Sequence, residues 1–204
     1  MTVPLLDHLV LATADLFGTV RRFADATGVD PVEGGRHEKW GTRNFLVGLG
    51  GTAYLELLGP DPDANREPAF DFGEPGTERF LTWAIHPADI DAVLATAHAA
   101  GVDLGTIGPL SRETPGGELL SWRVSTPPHY LYDGLVPFLI DWGTTPHPTT
   151  NLPTVDLVSL HATHPQASEL RAVLGVLSTS LDLSTGPAAL TATFRGPRGE
   201  YAVG

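Results

Sequence analysis

Cysteine is absent from this 204-residue chain, and lysine occurs once, as Lys39. Without cysteine the chain forms no disulfide, offers no thiolate to zinc and has no cysteine nucleophile. The sequence contains no run of about 18 apolar residues, the length that a membrane-spanning helix needs. It also lacks a basic flank followed by an apolar segment near its start, so we expect no secretory signal and a cytoplasmic protein.

Positive charge is scarce, with 12 Lys and Arg against 24 Asp and Glu, and the formal net charge is −12. Such a chain repels nucleic-acid phosphates and anionic lipid headgroups, so we expect neither nucleic acid nor membrane as a partner. Nucleotide-binding glycine loops and the G-x-S-x-G hydrolase motif are also missing. We therefore expect a small-molecule ligand, and we leave a homodimer open.

Three segments, at 5–30, 80–103 and 155–176, repeat one local pattern, in which a strand is followed by an amphipathic helix. Asp15 and Asp89 precede two of the helices, where negative charge is favourable. After each of the first two helices come three further strand-like stretches. We predict an α+β fold of repeated βαβββ modules, organised as a first module at 1–62, a linker at 63–77, a second module at 78–146 and a third partial module at 147–204 packed on the core.

Four segments carry a family resemblance: LDHLVLATADL at 6–16, GGRHEKWGTRN at 34–44, AYLELLGPDP at 53–62 and VPFLIDWGTTPHP at 136–148. They resemble the bacterial glyoxalase-like domain proteins of the vicinal oxygen chelate superfamily, over essentially the whole chain. The resemblance implies module sheets that curl into a cup, with metal ligands on the first and fourth strands of each module. The superfamily hosts many chemistries, so the fold does not by itself give the reaction.

His8 and Glu56 stand where the superfamily places an imidazole and a carboxylate. Strand alternation puts His8 on one face of the first strand and Glu56 on one face of the fourth. These donors suit Zn, Ni, Mn or Fe. The alternative is that His8 and Glu56 bond each other or the backbone, without a metal.

The second module is a weaker match to a metal site. Thr82 aligns with His8 and is a poor ligand, and Asp141 is the nearest acid to the position that corresponds to Glu56. We predict Asp141 as the third metal ligand, with His37 as an alternative.

The segment 34–44 offers a cluster of polar groups after two glycines, which permit a tight turn or a close backbone approach to a ligand. We predict His37 as a catalytic residue and Thr42, Arg43 and Asn44 as substrate-binding residues, with Arg43 able to hold a carboxylate. The segment could instead be a bulged surface hairpin.

Arg112 and Trp122 are predicted substrate-binding residues of the second module, although tryptophan more often fills a core. The remaining histidines fall in helix starts, helices or loops and are expected to be mostly exposed, among them His86, His98, His129, His147 and His164.

These residues lead to two functional hypotheses. In the first, the protein is a metal-assisted lyase or isomerase acting on a small carbonyl or carboxylate compound, with Glu56 as a ligand that also moves a proton. In the second, it is a metal-free protein that binds and sequesters a small molecule.

Overall fold

The computed structural model describes residues 3–74, 76–114 and 116–204, so residues 1, 2, 75 and 115 of the predicted modules and turns lie outside it. The three α-helices are α1 (Leu16–Thr27), α2 (Ile90–Ala99) and α3 (Ala167–Val176). The strands are β1 (Leu6–Thr13), β2 (Val32–His37), β3 (Thr42–Gly48), β4 (Tyr54–Pro60), β5 (Glu78–Ile85), β6 (Thr106–Glu113), β7 (Leu119–Thr126), β8 (Phe138–Asp141), β9 (Asp156–Thr163), β10 (Asp182–Ser184), β11 (Ala189–Arg195) and β12 (Glu200–Val203). Among the described residues, no helix is long and apolar enough to cross a membrane.

Eight strands close into a barrel in the order β1-β4-β3-β2-β6-β7-β8-β5. The first four belong to one βαβββ unit and the last four to a second, and both units use the same internal order. One seam is the long antiparallel pairing of β1 with β5, and the other joins β2 to β6 at Arg36 and Glu113. The predicted α+β fold with repeated βαβββ units around a cup is therefore confirmed.

The helices begin where their local sequence favours it. Asp15 caps α1 by accepting the Gly18 N–H at 3.1 Å, and Asp89 caps α2 by accepting the Ala92 N–H at 2.9 Å. An aspartate in this position satisfies a backbone donor that the helix itself leaves free. These caps fix where each helix turns back along the outside of the barrel.

The main core lies between the barrel and the helices. Leu9 and Leu11 of β1 and Leu55 and Leu57 of β4 are fully buried on the outer side of their strands, in one apolar cluster with Phe23 of α1. Each such side chain contributes about 1.5–3 kcal/mol by leaving water. Because successive strand residues face opposite sides, this packing fixes His8 and Glu56 on the inner side.

The C-terminal segment forms a separate sheet in the order β10-β9-β11-β12. Here the first strand, β9, pairs in parallel with the second, β10, whereas in the barrel the first strand β1 pairs with the fourth, β4. The strand, helix and final hairpin expected from the sequence are present, but their pairing differs from that of the barrel units. Phe194 of β11 joins the main apolar cluster, so this sheet covers the barrel from outside.

Candidate functional site

The barrel encloses a cavity of about 570 Å³. This volume is in the range of pockets that bind small organic molecules. Most of its wall is apolar and aromatic, formed by side chains that include Val10, Trp40, Tyr54, Leu58, Phe70, Leu81, Leu110, Trp122, Val124, Phe138, Ile140 and Trp142. A ligand that fits this wall has a largely apolar body.

A line of polar side chains crosses the inside of the barrel. Asn44 Nδ2 donates to Glu56 Oε1 at 2.6 Å, and Arg112 Nη1 donates to Asn44 Oδ1 at 3.2 Å. His8 Nε2 lies 3.8 Å from the other Glu56 oxygen, Oε2. All four residues are buried and line the cavity. The amide of Asn44 therefore holds one Glu56 oxygen and leaves the other beside His8.

Asp7 holds His8 from the far side of its ring. His8 Nδ1 and Asp7 Oδ1 are 2.6 Å apart, and Asp7 is 1% exposed. Burial raises the pKa of Asp7, but hydrogen bonds from His147 and His8 outweigh it and hold that pKa well below its ordinary value. Because Asp7 is ionised, it accepts the Nδ1 proton of His8, and this contact turns Nε2 of the ring toward Glu56.

A β-bulge makes this contact between neighbours possible. The pairing of β1 with β5 shifts register between Leu6 and His8. A regular strand would turn Asp7 and His8 to opposite faces, whereas a bulge re-aims a side chain. The His8 ring is further fixed by stacking on Tyr54 at a centroid distance of 4.7 Å and by an edge contact with Phe138 at 5.4 Å.

The gap between His8 and Glu56 determines what this pair can do. At 3.8 Å the two atoms are too far apart for a direct hydrogen bond. A carboxylate and an imidazole this close together can share one proton between them. The pair is therefore suited to taking a proton from a bound molecule.

His37 lies on the same inner surface, and it is buried with Nδ1 3.1 Å from the Thr42 hydroxyl. Burial lowers the pKa of His37 below its ordinary value, against the opposing charge of Glu56. His37 is therefore neutral near neutral pH and can accept or donate one hydrogen bond in the cavity.

The two glycines of segment 34–44 serve the barrel seam rather than a ligand. A side chain at Gly34 would lie 2.2 Å from Arg112 Nη1 and 2.4 Å from Asn44 Oδ1. Gly35 has φ +143°, and a side chain there would lie 2.2 Å from the carbonyl oxygen of Glu113. The backbone at these two glycines therefore lies close to β6 and to the Arg112 side chain, where we had expected a ligand. The segment is a bulged hairpin, with a register shift between Glu33 and Gly35.

Seven residues singled out from the sequence share the cavity: His8, His37, Asn44, Glu56, Thr82, Arg112 and Trp122. Thr42 is buried behind His37, which it contacts. The structure therefore brings together most of the predicted site, from seven strands of the barrel.

Arg43 and Asp141 lie outside the cavity, which corrects their predicted placement. Arg43 bonds Glu33 on the outer side of the barrel, because it alternates with the inward-facing Asn44. Asp141 accepts from Arg123 on the outer surface, because Ile140 and Trp142 on either side of it face inward. The structure does not bring Asp141 to His8 and Glu56.

The side chains in the cavity do not fit a resident catalytic metal. His8 Nε2 and Glu56 Oε2 are two donors, the second unit contributes the Thr82 hydroxyl, and the other Glu56 oxygen is occupied by Asn44. His37, the alternative third ligand, also lines the cavity, but neither of its ring nitrogens comes within 4.8 Å of both donor atoms. A catalytic zinc commonly has three protein ligands. In the part of the chain that the structure describes, the one cluster of three suitable donors is Asp7, His86 and His147.

Some residues of the site were missed by the sequence reasoning. Asp7 was not among the predicted site residues, although an acid directly before a predicted site histidine was a usable signal. Trp40 and Phe70 line the cavity from segments interpreted as a loop and a linker. Two of the histidines expected to be exposed are not: His164 is buried, and His147 is half-buried and bonds Asp7 at 3.1 Å.

Comparisons with known proteins agree with this architecture. The family model described as "Glyoxalase-like domain" matches residues 6–177. The sequence matches none of the curated proteins.

Among solved structures, a hypothetical protein from Staphylococcus aureus has a TM-score of 0.59 and 16% identity, covering 97% of this chain and 84% of that one. Methylmalonyl-CoA epimerase from Streptomyces coelicolor, in complex with 2-nitronate-propionyl-CoA, has a TM-score of 0.44 and 23% identity, covering 68% of this chain and 97% of that one. The epimerase from Mycobacterium tuberculosis has a TM-score of 0.42 and 19% identity, covering 69% and 89%. At these identities the likenesses concern the fold alone, and we draw nothing about substrate from the epimerases.

Proposed function

Because the chain belongs to the glyoxalase-like domain family of the vicinal oxygen chelate superfamily, we propose that it is an isomerase or lyase that moves a proton on a small molecule with an apolar body and a carbonyl or carboxylate head. The observation that carries the proposal is the line of buried polar groups from His8 through Glu56 and Asn44 to Arg112, in a cavity with a largely apolar wall, with Asp7 behind His8.

Arg112 is the proposed anchor for the head of the ligand. Its guanidinium is buried, and among the described residues its Nε has no hydrogen-bond partner. A buried donor without a partner costs about 1–3 kcal/mol. A carboxylate or enolate oxygen would satisfy that donor and would pair with the charge.

Glu56 is the proposed base. A proton attached to the carbon next to the bound carbonyl would pass to Glu56 Oε2, and the electron pair of the broken C–H bond would form the enolate. Arg112 would stabilise the negative oxygen, as preorganised donors do. His8, which Asp7 holds in place, would stabilise or relay the proton held by Glu56. Glu56 and His8 would then return this proton to a carbon of the enolate to give the product.

A divalent cation, if bound at His8 and Glu56, would supply Lewis-acid polarisation of the ligand oxygens. With two protein donors it would be held weakly and would exchange with solution. The proposed proton transfer therefore relies on the side chains alone, and added metal is one arm of the test.

Phenylpyruvate is a suitable probe, because its carboxylate and ketone adjoin an acidic benzylic CH₂ on an apolar ring. We expect the protein to accelerate exchange of these protons in D₂O, followed by NMR, above the uncatalysed rate. Glu56→Gln should abolish the acceleration, because the base is lost while the shape is kept. Arg112→Met should weaken binding of phenylpyruvate.

The matched control is Glu33→Gln, which alters a carboxylate on the outer side of the barrel and should leave exchange unchanged. Absence of exchange with phenylpyruvate and with related 2-oxo acids, despite binding, would contradict the enzymatic proposal and support a sequestering protein. Exchange that appears only with added Zn²⁺, Mn²⁺, Ni²⁺ or Fe²⁺ would contradict the side-chain mechanism and restore the metal-assisted one.

A further inference from the structure

A second cluster of metal-binding side chains lies outside the cavity. Asp7 of β1, His86 just after β5 and His147 of the connection between β8 and β9 come together there, with their ligand atoms all within 4.8 Å of one another. None of the three is among the residues that line the cavity. We propose that Asp7 Oδ2, His86 Nδ1 and His147 Nε2 form a binding site for a divalent transition metal such as Zn²⁺.

The spacing of the donor atoms is close to what zinc requires. Asp7 Oδ2 lies 3.1 Å from His147 Nε2 and 3.7 Å from His86 Nδ1. Ligands at zinc distances of about 2.0–2.2 Å in tetrahedral geometry stand about 3.3 Å apart. The two separations from Asp7 therefore lie on either side of the required value, and His86 Nδ1 and His147 Nε2 lie within 4.8 Å of each other.

The donor types select the metal. Two imidazoles and one carboxylate suit zinc and its transition-metal neighbours, whereas Mg²⁺ prefers oxygen ligands. The His86 side chain is 38% exposed, so the cation has an entry path and water can complete its coordination. Three protein ligands with one open position is the ligand count of exchangeable or catalytic zinc sites.

Outer hydrogen bonds already orient two of the ligands. Trp142 Nε1 donates to Asp7 Oδ2 at 3.0 Å, and the Thr149 hydroxyl lies 2.9 Å from His147 Nδ1. Such partners fix ring orientation and the tautomer of a ligating histidine. The Thr149 N–H also donates to His147 Nδ1 at 3.3 Å, so metal-free His147 carries its proton on Nε2 and donates it to Asp7. Metal on Nε2 would move that proton to Nδ1, facing the Thr149 hydroxyl, and would break the hydrogen bond from the Thr149 N–H.

The site lies directly behind the cavity. The His147 ring contacts the rings of Tyr54 and Trp142, which both line the cavity. The other Asp7 oxygen, Oδ1, holds His8. A bound metal would therefore fasten the connection at 144–154 to the barrel and fix the carboxylate that orients His8.

The test is titration of Zn²⁺ into protein without an affinity tag, by calorimetry and thermal unfolding. At 100 times Kd, binding should raise Tm by about 5–10 °C. His86→Ala and His147→Ala should each weaken binding by more than about 100-fold, because loss of an outer-shell partner alone costs about 10–100-fold. Mg²⁺ should give no such shift.

Two controls separate this site from others. His161→Ala removes a histidine that pairs with a single acid, Asp182, and should leave Zn²⁺ affinity unchanged. Glu56→Gln should also leave it unchanged, since Glu56 belongs to the cavity. The metal-free Tm of His86→Ala should stay close to that of wild type, because the His86 side chain is 38% exposed and its contacts with Asp7, at 3.7 Å, and with the parallel His147 ring, at a centroid distance of 6.4 Å, are loose.

Co²⁺ provides a spectroscopic check, because its visible absorption reports an environment of nitrogen and oxygen ligands. Equal Zn²⁺ affinity in wild type, His86→Ala and His147→Ala would overturn the proposal. No binding by wild type would do the same, as would loss of binding in Glu56→Gln alone.

Discussion

Replacement of Arg112 by methionine tests whether this buried charge serves the ligand or the fold. Methionine keeps much of the side-chain volume and removes the guanidinium. The native Arg112 makes one hydrogen bond, to Asn44 at 3.2 Å, and its Nε has no partner among the described residues. Removal of the guanidinium ends the cost of desolvating that ion, which opposes the loss of its hydrogen bond to Asn44.

The expected magnitudes separate the two roles. Loss of the Asn44 hydrogen bond costs about 1 kcal/mol, and release of the desolvated charge offsets a similar amount. The free energy of unfolding should therefore change by less than about 1 kcal/mol, which is about 2–4 °C in Tm for a chain of this size. A charge-assisted bond to a carboxylate is worth about 1.5–3 kcal/mol, so Kd should rise about 10–150-fold.

The assay uses 1-naphthylacetate and its neutral analogue 1-naphthylacetamide in calorimetric titrations of wild type and Arg112→Met. The carboxylate should lose affinity in the variant, and the amide should bind both proteins alike. Arg123→Met is the matched control, since Arg123 pairs with Asp91 and Asp141 on the outer surface. Unchanged carboxylate affinity together with a Tm loss above 10 °C would refute the reasoning and make Arg112 a structural residue.

The other predictions concern the barrel seam and pH. Gly34→Ala should weaken carboxylate binding and lower Tm less than Gly35→Ala in a thermal melt, because the three atoms nearest its Cβ belong to side chains, those of Arg112, Asn44 and, at 2.9 Å, Leu46. Gly35→Ala should lower Tm by at least about 4–8 °C, because φ +143° is strained for alanine and the clash is with the Glu113 backbone; equal melting of the two variants would contradict this. The pKa of His37 is lowered, so the unfolded chain binds a proton near pH 6.5 that the folded chain does not. The stability that neutral His37 contributes is therefore complete above that pH and is lost as pH falls through the pKa of the folded protein. The Tm of His37→Gln should fall less than that of wild type between pH 7 and pH 5, and parallel plots of Tm against pH for the two proteins would contradict this.

Local sequence predicted much of the fold, because helix caps and strand alternation act over a few residues. Asp15 and Asp89 begin helices as expected. The alternation around His8 and Glu56 put both on the inner face, and the repeated pattern put Thr82 with them. The same alternation could have shown that Arg43 and Asn44 face opposite sides, so the misplacement of Arg43 was avoidable.

Tertiary structure decided the contacts of Asp7, because these depend on strand register and on closure of the barrel. Asp7 reaches His8 through a bulge that arises where β1 meets β5, a pairing that neither strand encodes alone. His147 reaches Asp7 across 140 positions of sequence, from a segment that reads as a linker because it is rich in proline and threonine.

The sequence by itself therefore determined the elements, their inward faces and the identity of most of the polar residues in the cavity, since these follow from short-range periodicity. The tertiary structure decided which polar groups are partnered: Glu56 by Asn44, His8 by Asp7, and Arg112 only in part. The physical reason is that hydrogen bonds and charges depend on distances of a few tenths of an ångström. Only the closed barrel, which joins strands far apart in the chain, sets those distances.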